Sequence, residues 1–269
     1  MTIIDSHTHI YPEKLAAKAA FNLGKFYNFT VQEKGTAENL KQCLRGAGIG
    51  GFVLLATATN ANQVDRINEI TSLEAEKARK EGFTVFALGG AHQDYGDWDR
   101  LVDGLKKNGL LGVKIHPDIQ GCDIDDPRFF GLYERLEKNG MTVCFHMGDD
   151  RPEYGFSSPE KLARVAEKYP SLRFQAAHLG GYRKWDAAKD CLCGKFGNVW
   201  YDCSQCVNVM KKEDCEEMIY LCGTDRVMFG TDFPAISPSY SLECFMRLSL
   251  GDEDREKILG LNALEFYGE

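Results

Sequence analysis

The sequence predicts an α/β fold in which eight parallel strands, each followed by a helix, close into a (β/α)8 TIM barrel. Three observations carry this expectation. Short apolar, β-rich runs recur about every 25 to 35 residues. Helix-like stretches fill the intervals between them. Several of the runs end in a histidine or a carboxylate. The 269 residues suit one such barrel, whose usual size is about 250, so residues 1–269 are read as a single domain.

The strands are expected at 2–6, 51–56, 84–88, 112–115, 141–145, 173–177, 199–203 and 226–230. Residues 62–81 form a long charged helix with Val64, Ile67 and Ile70 on its apolar side. Residues 127–139 open with Pro127 at a first helical turn and stop at Asn139-Gly140. Ser157-Ser158-Pro159-Glu160 caps a helix that runs to Lys168 and is ended by Pro170. The last helix, 252–267, starts at Asp252 and carries Ile258, Leu261 and Leu264 as its apolar residues. Strands alternating with helices imply parallel pairing through crossover helices. An open doubly wound sheet would show a glycine-rich phosphate loop after its first strand. His7-Thr8-His9-Ile10-Tyr11-Pro12 stands there instead. Residues 10–36 are long for a first crossover and predict extra helix over the barrel mouth. The aromatics within them, Tyr11, Phe21, Tyr27 and Phe29, read as packing residues rather than as a lid.

Bulk properties narrow the function classes. Hydrophobic content of 43% and charged content of 27% describe an ordinary globular protein. A net charge of −8 argues against nucleic acid as a partner, because phosphate binding needs a basic face. No apolar run reaches about 18 residues, so no membrane span is expected. No secretory signal pattern is visible, which points to a cytoplasmic protein whose ten cysteines are reduced packing thiols. Cys203-Ser-Gln-Cys206 has CxxC spacing, but no second CxxC or nearby histidine completes a zinc site.

The strand ends carry the chemistry. On a strand, residues two apart share a face, so His7 and His9 aim two imidazoles at one point. His116, His146 and His178 close later runs, and Asp232 closes the eighth. A barrel gathers all these strand ends at one mouth. Imidazoles with a carboxylate suit Zn²⁺, and also Mn²⁺, Fe²⁺ or Co²⁺. A metal with an open position would activate water near neutral pH. His92, near the third strand's end, reads as an ordinary polar residue.

Five segments in order, Asp5-Ser-His7-Thr-His9, Val113-Lys-Ile-His116-Pro, Phe145-His146-Met-Gly148, Ala177-His178-Leu-Gly-Gly181 and Phe229-Gly-Thr-Asp232-Phe-Pro234, together with Asn262-Ala-Leu-Glu-Phe-Tyr267, resemble the amidohydrolase superfamily. The closer likeness is to its amidohydrolase-related branch, which includes the aminocarboxymuconate-semialdehyde decarboxylase-like enzymes. The resemblance implies that His7, His9, His146 and Asp232 hold one divalent metal, most simply Zn²⁺. It implies that His178 polarises substrate or transfers a proton, and that Asp232 also takes a proton during catalysis. Binuclear relatives carry a carboxylated lysine on the fourth strand. Lys114 is instead expected to stay an ammonium ion paired with Asp5 or another carboxylate beneath the metal, since a buried charge needs a partner. His116 then lies at the rim, on the substrate side.

Loops after strands five and six place Arg151, Arg183 and Lys184 to hold a substrate carboxylate. The main expectation is a metal-dependent hydrolase of a small, carboxylated molecule. A metal-dependent non-oxidative decarboxylase is the second reading, and a non-catalytic small-molecule-binding barrel the third. A homodimer is the expected assembly.

Overall fold

A computed structural model of the chain describes residues 1–268. Its strands are β1 (Ile4–Thr8), β2 (Gly51–Leu55), β3 (Thr84–Gly90), β4 (Gly112–Ile115), β5 (Thr142–Phe145), β6 (Arg173–Ala176), β7 (Val199–Asp202) and β8 (Val227–Met228). They pair in parallel in sequence order. Between β8 and β1 the ring is closed by single contacts rather than a ladder. Ser6 N–H donates to Phe229 O (2.8 Å), Asp232 N–H donates to His7 O (2.9 Å), and Thr8 bridges Phe233. The fold is the expected (β/α)8 barrel.

The helices are α1 (Glu13–Tyr27), α2 (Ala37–Gly46), α3 (Val64–Lys80), α4 (Trp98–Lys107), α5 (Pro117–Gln120), α6 (Phe130–Lys138), α7 (Pro159–Lys168), α8 (Trp185–Cys191), α9 (Cys206–Val209), α10 (Lys212–Cys222), α11 (Pro238–Met246), α12 (Asp252–Glu256) and α13 (Asn262–Tyr267). Short 3-10 turns precede α3 and α6, where the sequence suggested one continuous helix. The final helix is also divided. A π turn at Lys257–Leu261 separates α12 from α13. Its extra residue per turn rotates the face, so Ile258, Ala263 and Phe266 are buried while Leu261 and Leu264 are exposed, contrary to the simple helical expectation.

Strand alternation divides the apolar side chains into two layers. Phe52, Leu54, Val113, Val143, Phe145 and Phe174 pack outward against the helices. Val53, Leu55, Leu88, Cys144, Trp200 and Met228 point into the barrel, where Phe266 and Tyr267 of α13 join them. Each fully buried residue of this kind contributes about 1.5–3 kcal/mol relative to exposure. At Lys114, Gln175 and Asp202 the inward column turns polar, on the way to the carboxy-terminal mouth. A register shift in β1 between Asp5 and Thr8 aims the His7 and His9 rings into that mouth. All ten cysteines are free, as expected, and no helix among the described residues is long and apolar enough to cross a membrane.

Candidate active site

His7, His9 and Asp232 converge. His7 Nε2 lies 3.1 Å from His9 Nε2, and Asp232 Oδ1 lies 3.4 and 3.5 Å from the two nitrogens. The far side of each ring fixes its tautomer. His7 Nδ1 meets Asp202 Oδ2 at 3.0 Å, and His9 Nδ1 meets Leu55 O at 2.7 Å. Both partners only accept, so both rings donate from Nδ1, and in the neutral tautomer that this selects Nε2 is a lone pair. Three lone-pair atoms therefore face one another. Lys114 Nζ also lies 3.4 Å from His7 Nε2. Donors about 2.1 Å from a common divalent ion stand roughly 3.0–3.5 Å apart, so this donor set fits such an ion.

The supports of this trio are ordered from below. Tyr267 of α13 donates to Gln175 Oε1, and Gln175 Nε2 donates to Asp202 Oδ2 at 2.7 Å. Asp202 is fully buried. Burial would raise its carboxyl, but His7 and the Ser204 hydroxyl outweigh that and hold it well below the usual carboxylate range. Burial and Lys114 push His7 down to about 4, with Asp202 opposing, so the ring is neutral at ordinary pH. Gln205 Nε2 donates to the second oxygen of Asp232 at 2.9 Å. Asp232 also stays a carboxylate, because His9, His7 and His178 overcome its burial. Gln205 and Asp232 both have positive φ, at 62°, an uncommon conformation that concentrates at functional sites.

His178 follows β6 in a tight turn where its φ is 58°. Its ring lies against that of His7, centroids 5.2 Å apart. Its Nδ1 donates to Ser204 O at 3.1 Å, and its Nε2 meets His146 Nδ1 at 3.1 Å. Burial lowers its pKa. The loops after β5 and β6 touch backbone to backbone here. A Cβ on Gly148 (φ 82°) would stand 2.5 Å from Tyr182 N and O, so a side chain there would force the loops apart.

His146 was expected beside His7, His9 and Asp232. In this structure its two nitrogens face His178 and the Tyr27 hydroxyl (3.1 Å) instead. His116 stacks on it with centroids 4.0 Å apart and also meets Tyr27, at 2.8 Å. Tyr27 thus corrects the packing expectation: α1 carries its hydroxyl into the mouth, while Phe21 is 70% exposed. Arg151 is bound to Asp149 (2.5 Å) and donates to Phe26 O. Arg183 is half-exposed, 3.6 Å from Asp150. His92 stays apart, its Nδ1 accepting from Asp94 N–H.

The expected Lys114–Asp5 pair does not form. Asp5 accepts from Thr231 N–H and hydroxyl and from His7 N–H. The two bonds from Thr231 tie β1 to the segment after β8, and burial still raises Asp5 to about 7. Among the described residues, Lys114 has no carboxylate within ion-pair distance, and Cys144 Sγ is 3.5 Å away. Sequence reasoning missed Asp202, Ser204 and Gln205. Asp202 had one usable signal, since it lies two residues beyond Trp200 and so shares its inward face.

The family model described as Amidohydrolase matches residues 4–268. The chain belongs to the amidohydrolase family. A 2-amino-3-carboxymuconate-6-semialdehyde decarboxylase of Dictyostelium discoideum is 29% identical over 199 residues, covering 60% of this chain and 54% of that protein. The chain therefore matches about half the length of that relative. Two solved structures share the fold. A 2,6-dihydroxybenzoate decarboxylase bound to 2,6-dihydroxybenzoate superposes with a TM-score of 0.73 at 17% identity, covering 100% of both chains. A manganese-containing 5-carboxyvanillate decarboxylase of Novosphingobium aromaticivorans gives 0.74 at 16%, covering 100% of this chain and 96% of that one.

Proposed function

We propose that this amidohydrolase-family protein is a metal-dependent non-oxidative decarboxylase of a small unsaturated or aromatic acid. The observation that carries the metal dependence is the convergence of His7 Nε2, His9 Nε2 and Asp232 Oδ1 within 3.5 Å of one another. The choice of carboxy-lyase over the hydrolase suggested by the sequence is supported by the decarboxylase relative and by the decarboxylases that share the fold. Zinc suits the donor types, and manganese in a structural neighbour makes it an equal candidate.

Bound among His7, His9 and Asp232, a divalent ion would supply positive charge to orient a substrate oxyanion and stabilise charge developing beside it. The chain's own residues supply the rest. Asp202 fixes the His7 tautomer, and Gln205 fixes the rotation of the Asp232 carboxylate. Decarboxylation breaks one C–C bond, leaves its electron pair on the carbon that lost carbon dioxide, and requires a proton there. His178, buried and anchored through Nδ1 by Ser204 O, presents Nε2 as the basic nitrogen that can take up a proton from solvent as the substrate enters and hand it to that carbon. Burial of His7 and His178, each 1% exposed, keeps bulk water from the reacting carbon.

The test uses metal-replete protein with carboxyl-¹³C-labelled unsaturated and aromatic acids in D2O. The expected result is labelled carbon dioxide, with one deuterium on the carbon that bore the carboxyl. Hydrolysis of esters, lactones or amides without carbon dioxide release would restore the hydrolase reading.

A further inference from the structure

All ten cysteines are free, and two of them meet. Cys222, the last residue of α10, donates to Cys193, two residues beyond the end of α8, with the sulfurs 2.8 Å apart. Among the described residues theirs is the one hydrogen bond between two thiols. Cys203 and Cys206, which have the CxxC spacing, make none. A disulfide holds its sulfurs about 2.05 Å apart, so the pair must close by less than an ångström. The backbone beside the thiols is already in close approach. A Cβ on Gly194 (φ 68°), next to Cys193, would stand 2.7 Å from the carbonyl oxygen of Leu221, next to Cys222.

The two thiols are not equivalent. Cys222 is 1% exposed and Cys193 7%, so Cys193 is the more open to a small reagent. Burial and the bond to Cys193 push the Cys222 thiol well above its ordinary range. Cys222 therefore keeps its proton and donates it, and that bond favours Cys193 as the thiolate, the reactive form. An opening this narrow suits a small, uncharged oxidant. The thiols lie 29 positions apart in the chain. Between them run β7, which ends in Asp202, and then Ser204 and Gln205, the residues that orient His7, His178 and Asp232. Cys193 Sγ also lies 4.0 Å from the carbonyl oxygen of Leu179, the residue after His178.

We propose that Cys193 and Cys222 form a modification site, at which hydrogen peroxide makes a disulfide that staples α8 to α10 across β7. The Cys193 thiolate attacks one oxygen of the peroxide. The O–O bond breaks, Cys193 becomes a sulfenic acid and hydroxide leaves. Cys222 then attacks that sulfur. The S–S bond forms, the S–O bond breaks, and the hydroxyl departs as water with the Cys222 proton. The proton that Cys193 gave up on ionising turns the first hydroxide into a second water. Two thiols lose two electrons and two protons, and one peroxide becomes two waters. The inference is independent of the decarboxylase reading.

The test treats the zinc-loaded full-length chain with hydrogen peroxide, because zinc itself takes no part in redox chemistry. Remaining thiols are then blocked with N-ethylmaleimide in denaturant and the chain is mapped by peptide mass. The expected map joins the peptides of Cys193 and Cys222, two hydrogens lighter than the separate thiols, with label on the other eight of the ten cysteines. Dithiothreitol should restore both thiols. The sulfoxide of Met246, 49% exposed, reports that the oxidant dose was sufficient. Thermal melting should place the cross-linked chain about 5 °C or more above the reduced one. Cys222→Ser should show no such rise after peroxide, and the wild-type map carries the test if that variant folds poorly. Met246 oxidised while both thiols still take label would overturn the proposal. A disulfide to any other cysteine, Cys193 carried on to sulfinic acid without linkage, or a cross-linked chain that melts no higher would do the same.

Discussion

Among the groups of two histidines and one aspartate in the mouth, His7–His9–Asp232 and His116–Asp118–His146 differ in the bonds that their outer atoms make. In His7–His9–Asp232 the outer ring nitrogens donate to Asp202 and Leu55 O, so lone pairs face inward. In His116–Asp118–His146 the aspartate is engaged by Phe156 and Ser157, and His116 Nδ1 accepts from Ile119 N–H, so a ring proton faces inward to Tyr27. Residue type alone does not distinguish them. The bond made by the far nitrogen decides which face of an imidazole can take a cation.

The largest expected effect separates the two groups by mutation. Asp232→Ala or His7→Ala should abolish stoichiometric divalent metal and lower turnover by roughly a thousandfold or more. His116→Ala should retain one metal per chain, measured by elemental analysis after dialysis. Metal loss from His116→Ala alone would reverse the assignment. Next in size is His178→Ala, which should keep its metal while turnover falls about 10²- to 10⁴-fold. If the ion leaves as well, His178 is a ligand rather than a proton carrier. Asp202→Asn should weaken metal binding about 10- to 100-fold in a competition titration, because it releases the His7 tautomer. An unchanged affinity would show that the column from Tyr267 to His7 does not tune the site.

The smallest effect concerns proton linkage, and both groups share in it. Burial keeps His7, His116, His146 and His178 neutral in the fold, with His7 pushed down to about 4. In the unfolded chain a histidine takes up its proton near 6.5. Below that pH the unfolded state binds more protons, so stability is full above about 6.5 and is lost as pH falls towards 4. Asp5, raised to about 7, and Asp118, also raised by burial, act in the opposite sense. They hold protons in the fold that the unfolded chain has released, but they are two groups against the four histidines of the site, with His92 also lowered by burial. Urea unfolding of metal-free protein should therefore show a net loss of stability between pH 7 and pH 5. A gain in stability over that interval would mean that the carboxyls dominate.

Much of this arrangement was legible in the chain. Period-two runs ending in His7, His116, His146, His178 and Asp232 located the barrel mouth because strand ends converge by topology. The residues that set tautomers were harder to read. Asp202 sits in Trp200-Tyr-Asp-Cys203, where a single carboxylate carries no motif, and its role depends on a ring 195 residues away. Tyr27 lies on a helix whose sequence resembles any amphipathic cover, and only tertiary placement turns its hydroxyl inward. Lys114 was correctly seen as inward-facing, but its proposed partner Asp5 serves the junction with Thr231 instead. Arg151 looked available for substrate because its pairing with Asp149 and Phe26 O arises from loop geometry.

The most direct measurement is the anomalous scattering of a manganese-replete crystal. One peak is expected, within bonding distance of His7 Nε2, His9 Nε2 and Asp232 Oδ1, with none between His116 and His146. A peak at the second pair, or two ions bridged by a carboxylated Lys114, would contradict the division of labour between the two groups.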